Sequence, residues 1–349
     1  MSWEEKVRKV VPYIPGEQPR FSQMIKINTN ENPYPPSPMV EEELQVMDSQ
    51  DFRLYPDNEA TELTSALAAY YRVDTENVFV GVGSDDVISQ IFLTFFASDK
   101  SLLFPDITYS FYEVWAQLYR IPFRKVPLKE DWHMDKEAFR DCGGIIFPNP
   151  NAPTGILEAE DFVEQVVTAN PDCVVVVDEA YIDFGGKSAI PLTKKYDNLL
   201  VVQTFSKSRS MAGMRIGFAV GSSKLISYLK AVKYSINSYT MSLAAIRLGV
   251  AAVRDEEYFR ETVGRIVATR ERVKKELGQL GFVFPDSMTN FIFAKHPGVG
   301  GKELYEFLRS RNIFVRHFNV DPLKDHLRIT MGTDEQMDQM LDCLRVYLG

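Results

Sequence analysis

The feature that most constrains the fold is a regular alternation of short apolar runs with longer amphipathic ones. The run 173–177 contains four consecutive valines, which is typical of a strand buried on both faces of a sheet. Amphipathic patterns such as 85–96 and 158–168 predict helices between the runs. This alternation predicts an α/β fold with a mostly parallel central sheet, whose ligands bind at the carboxyl ends of its strands. The predicted strands are 78–82, 101–104, 123–126, 144–147, 173–177, 199–203 and 216–220.

The pattern changes after residue 245, where the alternation gives way to a long charged helix at 258–280. Consecutive prolines within 32–38 exclude helix and predict an extended arm. We expect a large domain at 30–250, and a smaller α+β domain in which the N-terminal arm 1–29 packs with 251–349. The strands predicted in the C-terminal part are 282–285, 290–294, 313–316 and 327–330, and the helices are 302–311 and 335–347.

Composition narrows the class of protein. Apolar residues make up 45% and charged residues 25% of the 349 residues, as in ordinary globular chains. No apolar run is long enough to span a membrane, and the charged start MSWEEKVRKV is unlike a signal peptide. A net charge of −9 without a basic stripe argues against a nucleic-acid partner. The cysteines, at 142, 173 and 343, have no metal-ligand spacing, so we expect no metal site and a cytoplasmic location.

Polar side chains follow two of the predicted strands. Asp178 ends the valine strand, where a carboxylate requires a cationic or hydrogen-bonding partner, and Tyr181 follows at helix-like spacing. Lys207 stands beyond strand 199–203, in the stretch TFSKSRSMAGMR. Taken singly, the aspartate could cap a helix and the lysine could lie on the surface. Together they suit a pyridine aldehyde cofactor, because the lysine can bond the aldehyde, the carboxylate can hold the ring nitrogen protonated and the phenol can bind the ring oxygen.

A cofactor of this kind carries a phosphate, and the sequence offers two groups for it. The run GVGSD ends a strand and starts a helix, so that the free N–H groups of Ser84 and Asp85 suit a phosphate, although a plain turn is the simpler interpretation. Ser206 and Arg215 would complete the phosphate site.

Three other features near these motifs bear on the cofactor. Ala212 and Gly213 are small, which would let Arg215 approach closely. Tyr109 could stack on the cofactor ring or be one more core aromatic. Arg209 has no assigned role and is expected to be solvated or at an interface.

These motifs, in this order, resemble the fold-type-I pyridoxal-phosphate aminotransferases, and among them the histidinol-phosphate aminotransferases. The similarity covers nearly the whole chain, and the order and spacing of the motifs carry it. The resemblance implies a three-layer PLP-dependent transferase fold, pyridoxal 5′-phosphate as cofactor, and transfer of an amino group between L-histidinol phosphate and 2-oxoglutarate. The matching stretches are 28–33 (NTNENP), 54–57 (LYPD), 83–86 (GSDD), 153–155 (PTG), 178–181 (DEAY), 204–207 (TFSK), 289–291 (TNF), 315–316 (VR), 327–330 (LRIT) and 332–333 (GT).

The resemblance also implies roles for individual residues. As catalytic residues it implies Lys207, which bonds the cofactor and shuttles the proton, Asp178 at the ring nitrogen and Tyr181 at the ring oxygen. Tyr55 is implied to reach the phosphate in the neighbouring subunit, which predicts a homodimer with shared sites. The other implied cofactor residues are Ser84, Asp85, Tyr109, Ser206 and Arg215, and the implied substrate residues are Tyr13, Asn30, Arg316 and Arg328.

One position departs from the family, which has asparagine before Pro-Thr-Gly as a ligand of the ring oxygen. This chain has Ala152 there, and alanine donates no hydrogen bond. We therefore expect the ring oxygen to depend more on Tyr181, or on another donor such as Asn151.

The two substrate anions have separate predicted ligands. Arg328 is implied to bind the α-carboxylate of glutamate, and Arg316 the phosphate ester of histidinol phosphate, with Tyr13 closing from the arm.

The alternatives are an aminotransferase for aromatic amino acids, an L-threonine-phosphate decarboxylase and a non-catalytic module on the same scaffold. Lys207 beside Asp178 argues against the non-catalytic module. A Rossmann dehydrogenase is excluded because GVGSDD lacks the GxGxxG spacing.

Overall fold

A computed structural model of the chain describes residues 2–14, 16–19 and 23–349, so residues 1, 15 and 20–22 of the predicted arm lie outside the described residues. The strands are β1 Ile25–Lys26, β2 Val78–Gly81, β3 Leu102–Pro105, β4 Phe123–Val126, β5 Gly144–Pro148, β6 Val175–Asp178, β7 Leu199–Thr204, β8 Gly217–Gly221, β9 Phe291–Ala294, β10 Ile313–Phe314, β11 Arg316–His317 and β12 Leu327–Thr330. The helices are α1 Pro38–Val46, α2 Thr61–Tyr71, α3 Ser84–Ile91, α4 Phe111–Tyr119, α5 Phe162–Ala169, α6 Ser223–Ile236, α7 Leu243–Arg254, α8 Glu256–Gln279, α9 Gly301–Ser310 and α10 Asp334–Leu348.

The central sheet has seven strands in the order β2-β8-β7-β6-β5-β3-β4. The β7–β6, β6–β5, β5–β3 and β3–β4 pairs are parallel, whereas β8 runs antiparallel to β2 and β7. Pairing of Pro148 with Asp178, and of Asp178 with Val202, aligns the carboxyl ends of three neighbouring strands at one edge. The predicted α/β fold with a mostly parallel sheet is confirmed.

Helices cover both faces of this sheet. Along β6, Val175 and Val177 join the apolar cluster that includes α2, α5 and α7, while Val176 joins the cluster of α3, α4 and α6. Burial of each valine contributes roughly 1.5–3 kcal/mol, which explains why an uninterrupted valine run stabilises a central strand. Helix, sheet and helix form the expected three layers.

The C-terminal part contains a second, antiparallel sheet in the order β11-β12-β9. The arm forms a separate two-stranded sheet, in which β1 pairs in parallel with β10. This pairing places Ile25 and Ile27 in one apolar cluster with α8, α9 and α10. The predicted boundary between 250 and 251 falls inside α7, whose Ala251 and Val253 pack in the cluster of the central sheet. The division into two domains stays a prediction.

Two predictions for the C-terminal strands are wrong in detail. The expected strand at 282–285 is only a single bridge between Val283 and Lys295, because Val283 is exposed while Phe282 is buried in the core and Phe284 packs against it. The expected strand at 313–316 is split, since β10 pairs with the arm and β11 with β12. The two halves therefore belong to different sheets.

Two predicted helices also differ from the structure. The one at 85–96 is α-helical only to Ile91 and continues as a π-helical turn, Phe92–Phe96. The one at 158–168 begins at Phe162, because Glu158 makes long-range bonds instead. Its carboxylate accepts a hydrogen bond from the Met134 N–H at 2.7 Å, and its own N–H donates to the Asn149 side chain at 2.9 Å.

Candidate active site

A cavity of about 260 Å³ lies at the carboxyl ends of β5, β6 and β7, between the central sheet and the strands β11 and β12. The arm and the start of α3 close two of its sides. Twelve of the predicted site residues line it: Tyr13, Asn30, Ser84, Asp85, Tyr109, Asp178, Tyr181, Ser206, Lys207, Arg215, Arg316 and Arg328.

Lys207 lies just beyond the end of β7, and its side chain reaches into the cavity. Its Nζ donates to the Thr29 carbonyl oxygen at 3.2 Å. The Asn32 amide holds the lysine backbone, donating to the carbonyl oxygens of Lys207 at 3.1 Å and Ser208 at 3.2 Å. Burial, with smaller contributions from the positive charges of Arg328 and Arg215, lowers the pKa of Lys207 to about 8. A pKa near 8 leaves roughly a tenth of this amine neutral and nucleophilic at pH 7, far more than for an ordinary lysine.

Asp178 ends β6 and is buried. Its carboxylate accepts hydrogen bonds from the Tyr112 hydroxyl at 2.8 Å and from the Ala180 N–H at 3.1 Å. Burial raises its pKa to about 6 despite these two donors. A buried carboxylate of this kind gains most when a protonated nitrogen is placed beside it, because the pair then shares the low-dielectric surroundings.

Arg215 sits in a crowded position near the start of α3. Its guanidinium donates to the Ser206 hydroxyl at 3.3 Å and to the Asp85 carboxylate at 3.3 Å. A Cβ at Gly83 would lie 2.5 Å from the Arg215 guanidinium, so only glycine allows this approach. A Cβ at Gly213 would meet nothing within 4 Å, so the expectation that Gly213 serves this purpose is wrong.

The start of α3 offers backbone donors beside Arg215. The first N–H groups of a helix have no intrahelical acceptor, which leaves those of Ser84 and Asp85 available to an anion. The Asp85 carboxylate holds Arg215 and also accepts the Tyr109 hydroxyl at 2.8 Å. The expected backbone role of Asp85 is thus accompanied by a side-chain role that the sequence did not indicate.

The opposite wall carries two arginines side by side. Arg316 and Arg328 are direct partners in the antiparallel β11–β12 pair, an arrangement that is unfavourable for like charges. The Phe318 ring lies 5.4 Å from one guanidinium and 5.7 Å from the other. Neither arginine has a carboxylate partner among the described residues, and the buried Nε of Arg328 has no acceptor there. This wall is suited to bind anions that enter from solution.

Aromatic rings form the floor of the cavity near the arm. Tyr13 stacks on Phe111 with ring centroids 4.3 Å apart, and lies 6.3 Å from Tyr109. Burial raises the pKa of Tyr109 far above its ordinary value, so this phenol stays protonated.

Two predicted cofactor residues do not reach the cavity of this chain. The Asn151 amide donates to the Ile107 carbonyl oxygen at 3.0 Å and to the Thr154 hydroxyl at 3.2 Å, so both of its hydrogens are used. The suggestion that Asn151 replaces the donor missing at Ala152 therefore fails. Tyr55 is 82% exposed and stacks on Tyr239 at 4.7 Å.

Arg209 is buried, so the expectation that it is solvated is wrong. Its guanidinium lies 4.2 Å from the Phe259 ring centroid and 5.0 Å from that of Tyr70. It also donates to the Ala252 carbonyl oxygen at 2.7 Å. This arginine thus packs into the junction of α2, α7 and α8, and the cation–π contacts compensate part of its lost hydration.

Three functional residues were missed in the sequence. Tyr112 follows Tyr109 by three positions, so helical spacing indicated a shared face. Thr330 follows Arg328 by two positions, so strand alternation predicted that both lie on one face of β12. Phe318 had no local signal, because it lies beyond the end of β11.

The residues present fit a phosphorylated pyridine aldehyde. A nucleophilic lysine, a buried carboxylate and an anion site are arranged around one cavity, and the glycine at position 83 keeps the anion site open. Within residues 2–14, 16–19 and 23–349, no group of three or more histidine, cysteine or acidic side chains is placed to hold a metal ion. Among the same residues, no helix has the length and apolar character needed to cross a membrane.

Comparisons with known proteins agree with this chemistry. The family model for class I and II aminotransferases matches residues 22–344. A histidinol-phosphate aminotransferase from Lactococcus lactis subsp. cremoris strain MG1363 is 49% identical over 349 residues, which cover 100% of this chain and 98% of the relative. A histidinol-phosphate aminotransferase 2 from Dechloromonas aromatica strain RCB is 50% identical over 352 residues, with 99% of each chain covered.

A solved structure supports the fold. The crystal structure of histidinol-phosphate aminotransferase from Sinorhizobium meliloti in complex with pyridoxal-5′-phosphate matches with a TM-score of 0.83 and 24% identity. The match covers 93% of this chain and 91% of that one. At this level of identity the likeness shows the fold alone.

Proposed function

The chain belongs to the aminotransferase class I and II family, and from this premise we propose that it is a pyridoxal-phosphate-dependent histidinol-phosphate aminotransferase. The reaction interconverts L-histidinol phosphate and 2-oxoglutarate with imidazole-acetol phosphate and L-glutamate, a step of histidine biosynthesis. The observation that carries the proposal is the cross-strand pair Arg316–Arg328, two cations without a described acidic partner, in one cavity with Lys207 and Asp178. The names of the two relatives described above support it.

The anchoring residues follow from the geometry. Lys207 would bond the cofactor aldehyde, and the Asp178 carboxylate would hold the ring nitrogen. The N–H groups of Ser84 and Asp85, with the side chains of Ser206 and Arg215, would hold the phosphate, while Tyr109 would lie against the ring. When bound, pyridoxal 5′-phosphate supplies an electron sink for the negative charge that develops at the substrate Cα.

The chain's own residues move and hold the proton. Lys207 would act as the base, with the uncharged form of its Nζ accepting the proton from the substrate Cα and giving it back in the course of the transfer. Its pKa of about 8 suits this exchange near neutral pH, because an ordinary lysine would be almost fully protonated. Asp178 would stay ionised next to a protonated ring nitrogen, since that positive charge would offset the burial that raises the pKa of Asp178 in the free protein.

The two arginines explain how one site accepts two kinds of anion. Arg328 would bind the α-carboxylate of glutamate, and Arg316 the phosphate of histidinol phosphate, with the Tyr13 ring covering the substrate from the arm. Because Arg316 and Arg328 are direct cross-strand partners, the two anions would bind next to each other on one wall of the cavity.

We further propose a homodimer with shared sites. Four large apolar side chains, Phe52, Leu54, Tyr55 and Tyr239, are between 48% and 82% exposed. Tyr55 and Tyr239 stack on each other, so they form a preorganised patch that a second copy could cover. In that dimer Tyr55 would reach the cofactor phosphate of the partner. A cytoplasmic location stays a prediction.

Four measurements test the function. The purified protein should be yellow, and borohydride should attach the cofactor to the wild type but not to Lys207→Ala. With 2-oxoglutarate as acceptor, kcat/KM should be at least about tenfold higher for histidinol phosphate than for phenylalanine. A colourless protein would end the cofactor proposal, a preference for phenylalanine would indicate the aromatic aminotransferase, and release of carbon dioxide from threonine phosphate would indicate the decarboxylase.

A further inference from the structure

Asn30 was expected to bind substrate, but its side chain is committed to two neighbours. It is 1% exposed, and its Nδ2 donates to the Tyr181 hydroxyl oxygen at 2.8 Å. Its Oδ1 accepts the Thr330 hydroxyl at 3.0 Å. These bonds form a chain that runs from Thr330 through Asn30 to Tyr181.

The direction of this chain is fixed by its surroundings. The Asn30 backbone N–H donates to Thr330 Oγ1 at 3.0 Å, and Asn30 Oδ1 is the only described acceptor for the Thr330 hydrogen. A flipped amide would leave that buried hydroxyl hydrogen without a partner, which is costly. The Asn290 amide holds the Asn30 carbonyl oxygen at 3.0 Å, so the backbone is fixed as well.

The consequence is a phenol with one free hydrogen. The Tyr181 oxygen accepts from Asn30, and its own O–H has no acceptor among the described residues, although Tyr181 lines the cavity. Accepting one hydrogen bond polarises a hydroxyl and strengthens the bond that it donates. Tyr181 is therefore prepared to donate to a ligand in the cavity.

The neighbouring side chains offer no second donor. Ala152 and Pro153 line the cavity with side chains that carry no polar hydrogen, and Asn151 uses both of its amide hydrogens elsewhere. We propose that Asn30 is a positioning residue which, backed by Thr330, directs the Tyr181 phenol as the main protein donor to the ring oxygen of the cofactor. This inference rests on the proposed function, because it requires that cofactor.

The spectroscopic consequence has a definite sign. A donor draws negative charge from the ring oxygen, which makes the nitrogen that joins Lys207 to the cofactor less basic. Removing the donor should therefore raise the pH at which the visible absorbance of the bound cofactor changes. We expect Tyr181→Phe to raise that midpoint by roughly one unit, and Asn30→Gly by about half a unit.

The variants are chosen to keep the backbone. Asn30 has a φ of +57°, a conformation that glycine adopts freely, so Asn30→Gly removes the amide without strain. Asn30→Asp keeps the shape but turns the donor into an acceptor, so the Tyr181 hydrogen should rotate towards it and the midpoint should rise at least as far. Thr330→Val removes the hydroxyl that backs Asn30. Thr330→Ser is the matched control, because serine keeps a hydroxyl at this position.

The test measures the midpoint for each holoenzyme together with kcat and KM for glutamate. We expect Asn30→Gly to lower kcat several-fold with KM within about twofold, and Thr330→Ser to behave as the wild type. In the double variant Tyr181→Phe with Asn30→Gly, the midpoint should equal that of Tyr181→Phe alone, because Asn30 acts through the phenol.

The outcomes separate the two proposals. A wild type with a visible band whose midpoint is unchanged in Asn30→Gly and Asn30→Asp would overturn the positioning role and leave the proposed function intact. Equal shifts by Asn30→Gly with and without the Tyr181 hydroxyl would overturn it too, since the amide would then act independently. A wild type without any cofactor band would overturn both proposals.

Discussion

The two walls of the cavity treat their charged groups in opposite ways. On the wall made by the central sheet, Asp178 accepts from Tyr112 and Ala180, and Arg215 is bonded to Ser206 and Asp85. On the wall made by β11 and β12, the guanidiniums of Arg316 and Arg328 meet only carbonyl oxygens and aromatic rings among the described residues.

This difference separates a permanent ligand from a changing one. A group that stays bound is best held by side chains already fixed in place, since no ordering cost is then added at each turnover. A substrate that must leave is better met by charges whose partner is the substrate itself. The sheet wall therefore suits the cofactor, and the arginine wall suits two anions in alternation.

The largest expected effect is on kcat, when Lys207 is removed from the wall made by the central sheet. Lys207→Ala should lower kcat by about 10⁴-fold or more, because both the covalent attachment and the proton transfer are removed. Steady-state assays with glutamate and 2-oxoglutarate measure this loss, and an unchanged far-ultraviolet circular dichroism spectrum serves as the control. Activity within tenfold of the wild type would show that Lys207 is not the amine that bonds the cofactor and moves the proton.

Changes on the arginine wall should act on substrate binding and leave the cofactor in place. Arg328→Met should raise KM for glutamate by about 10- to 100-fold, the value of a charge-assisted hydrogen bond. Arg316→Met should weaken histidinol phosphate by a similar factor while phenylalanine changes less than about threefold. Equal losses for both substrates in Arg316→Met would contradict the proposed role of Arg316 at the phosphate. Loss of the cofactor band in either variant would show that the arginine wall also holds the cofactor.

The buried amine also predicts a pH-dependent stability of the cofactor-free protein. The folded-state pKa of Lys207, about 8, lies below its unfolded value near 10.4. Burial of the charged amine therefore lowers the free energy of unfolding fully below pH 8, and this destabilisation disappears as the pH rises to 10.4. Lys207→Met should therefore raise the free energy of unfolding by roughly 2–3 kcal/mol at pH 7 and by almost nothing near pH 10.5. Urea titrations at both pH values measure the difference, and an equal gain at both would exclude titration of Lys207 as the cause.

The smallest effect is expected at the arginine that lies outside the cavity. Arg209→Met should lower the free energy of unfolding by about 1 kcal/mol. The variant loses one hydrogen bond and the cation–π contacts, but the methionine still packs in apolar surroundings. Cofactor affinity should stay within twofold. Arg215→Met is the matched comparison, with an affinity about 100-fold lower and little change in stability. If both variants lost cofactor equally, Arg209 would belong to the site.

Local patterns revealed the parts of the site that follow a strand end. Asp178 and Lys207 stand directly after apolar runs, and parallel pairing brings such ends to one edge, so that their meeting was predictable. The roles of Arg209 and Arg215 could not be separated in this way. Arg215 meets Ser206 and Asp85, whereas Arg209 meets remote rings and the Ala252 carbonyl oxygen, whose positions depend on the packing of α7 and α8.

The same limit applies to Asn30 and Thr330. Their hydrogen bond joins positions 300 residues apart, and no short motif carries that information. The fold class was predictable because hydrophobic periodicity is repeated seven times in the sheet, whereas a two-residue pairing such as β1 with β10 produces almost no pattern.

The β1–β10 pairing has a consequence for folding during synthesis on the ribosome. Ile25 is synthesised long before its partner Ile313, and Asn30 is synthesised 300 residues before Thr330. At about 5–20 residues per second, this delay is roughly 15–60 seconds. During that time β1 of the arm has no partner strand, so the cavity is among the last parts of the nascent chain to be completed. Termination before residue 327 would leave the wall made by β11 and β12 unassembled.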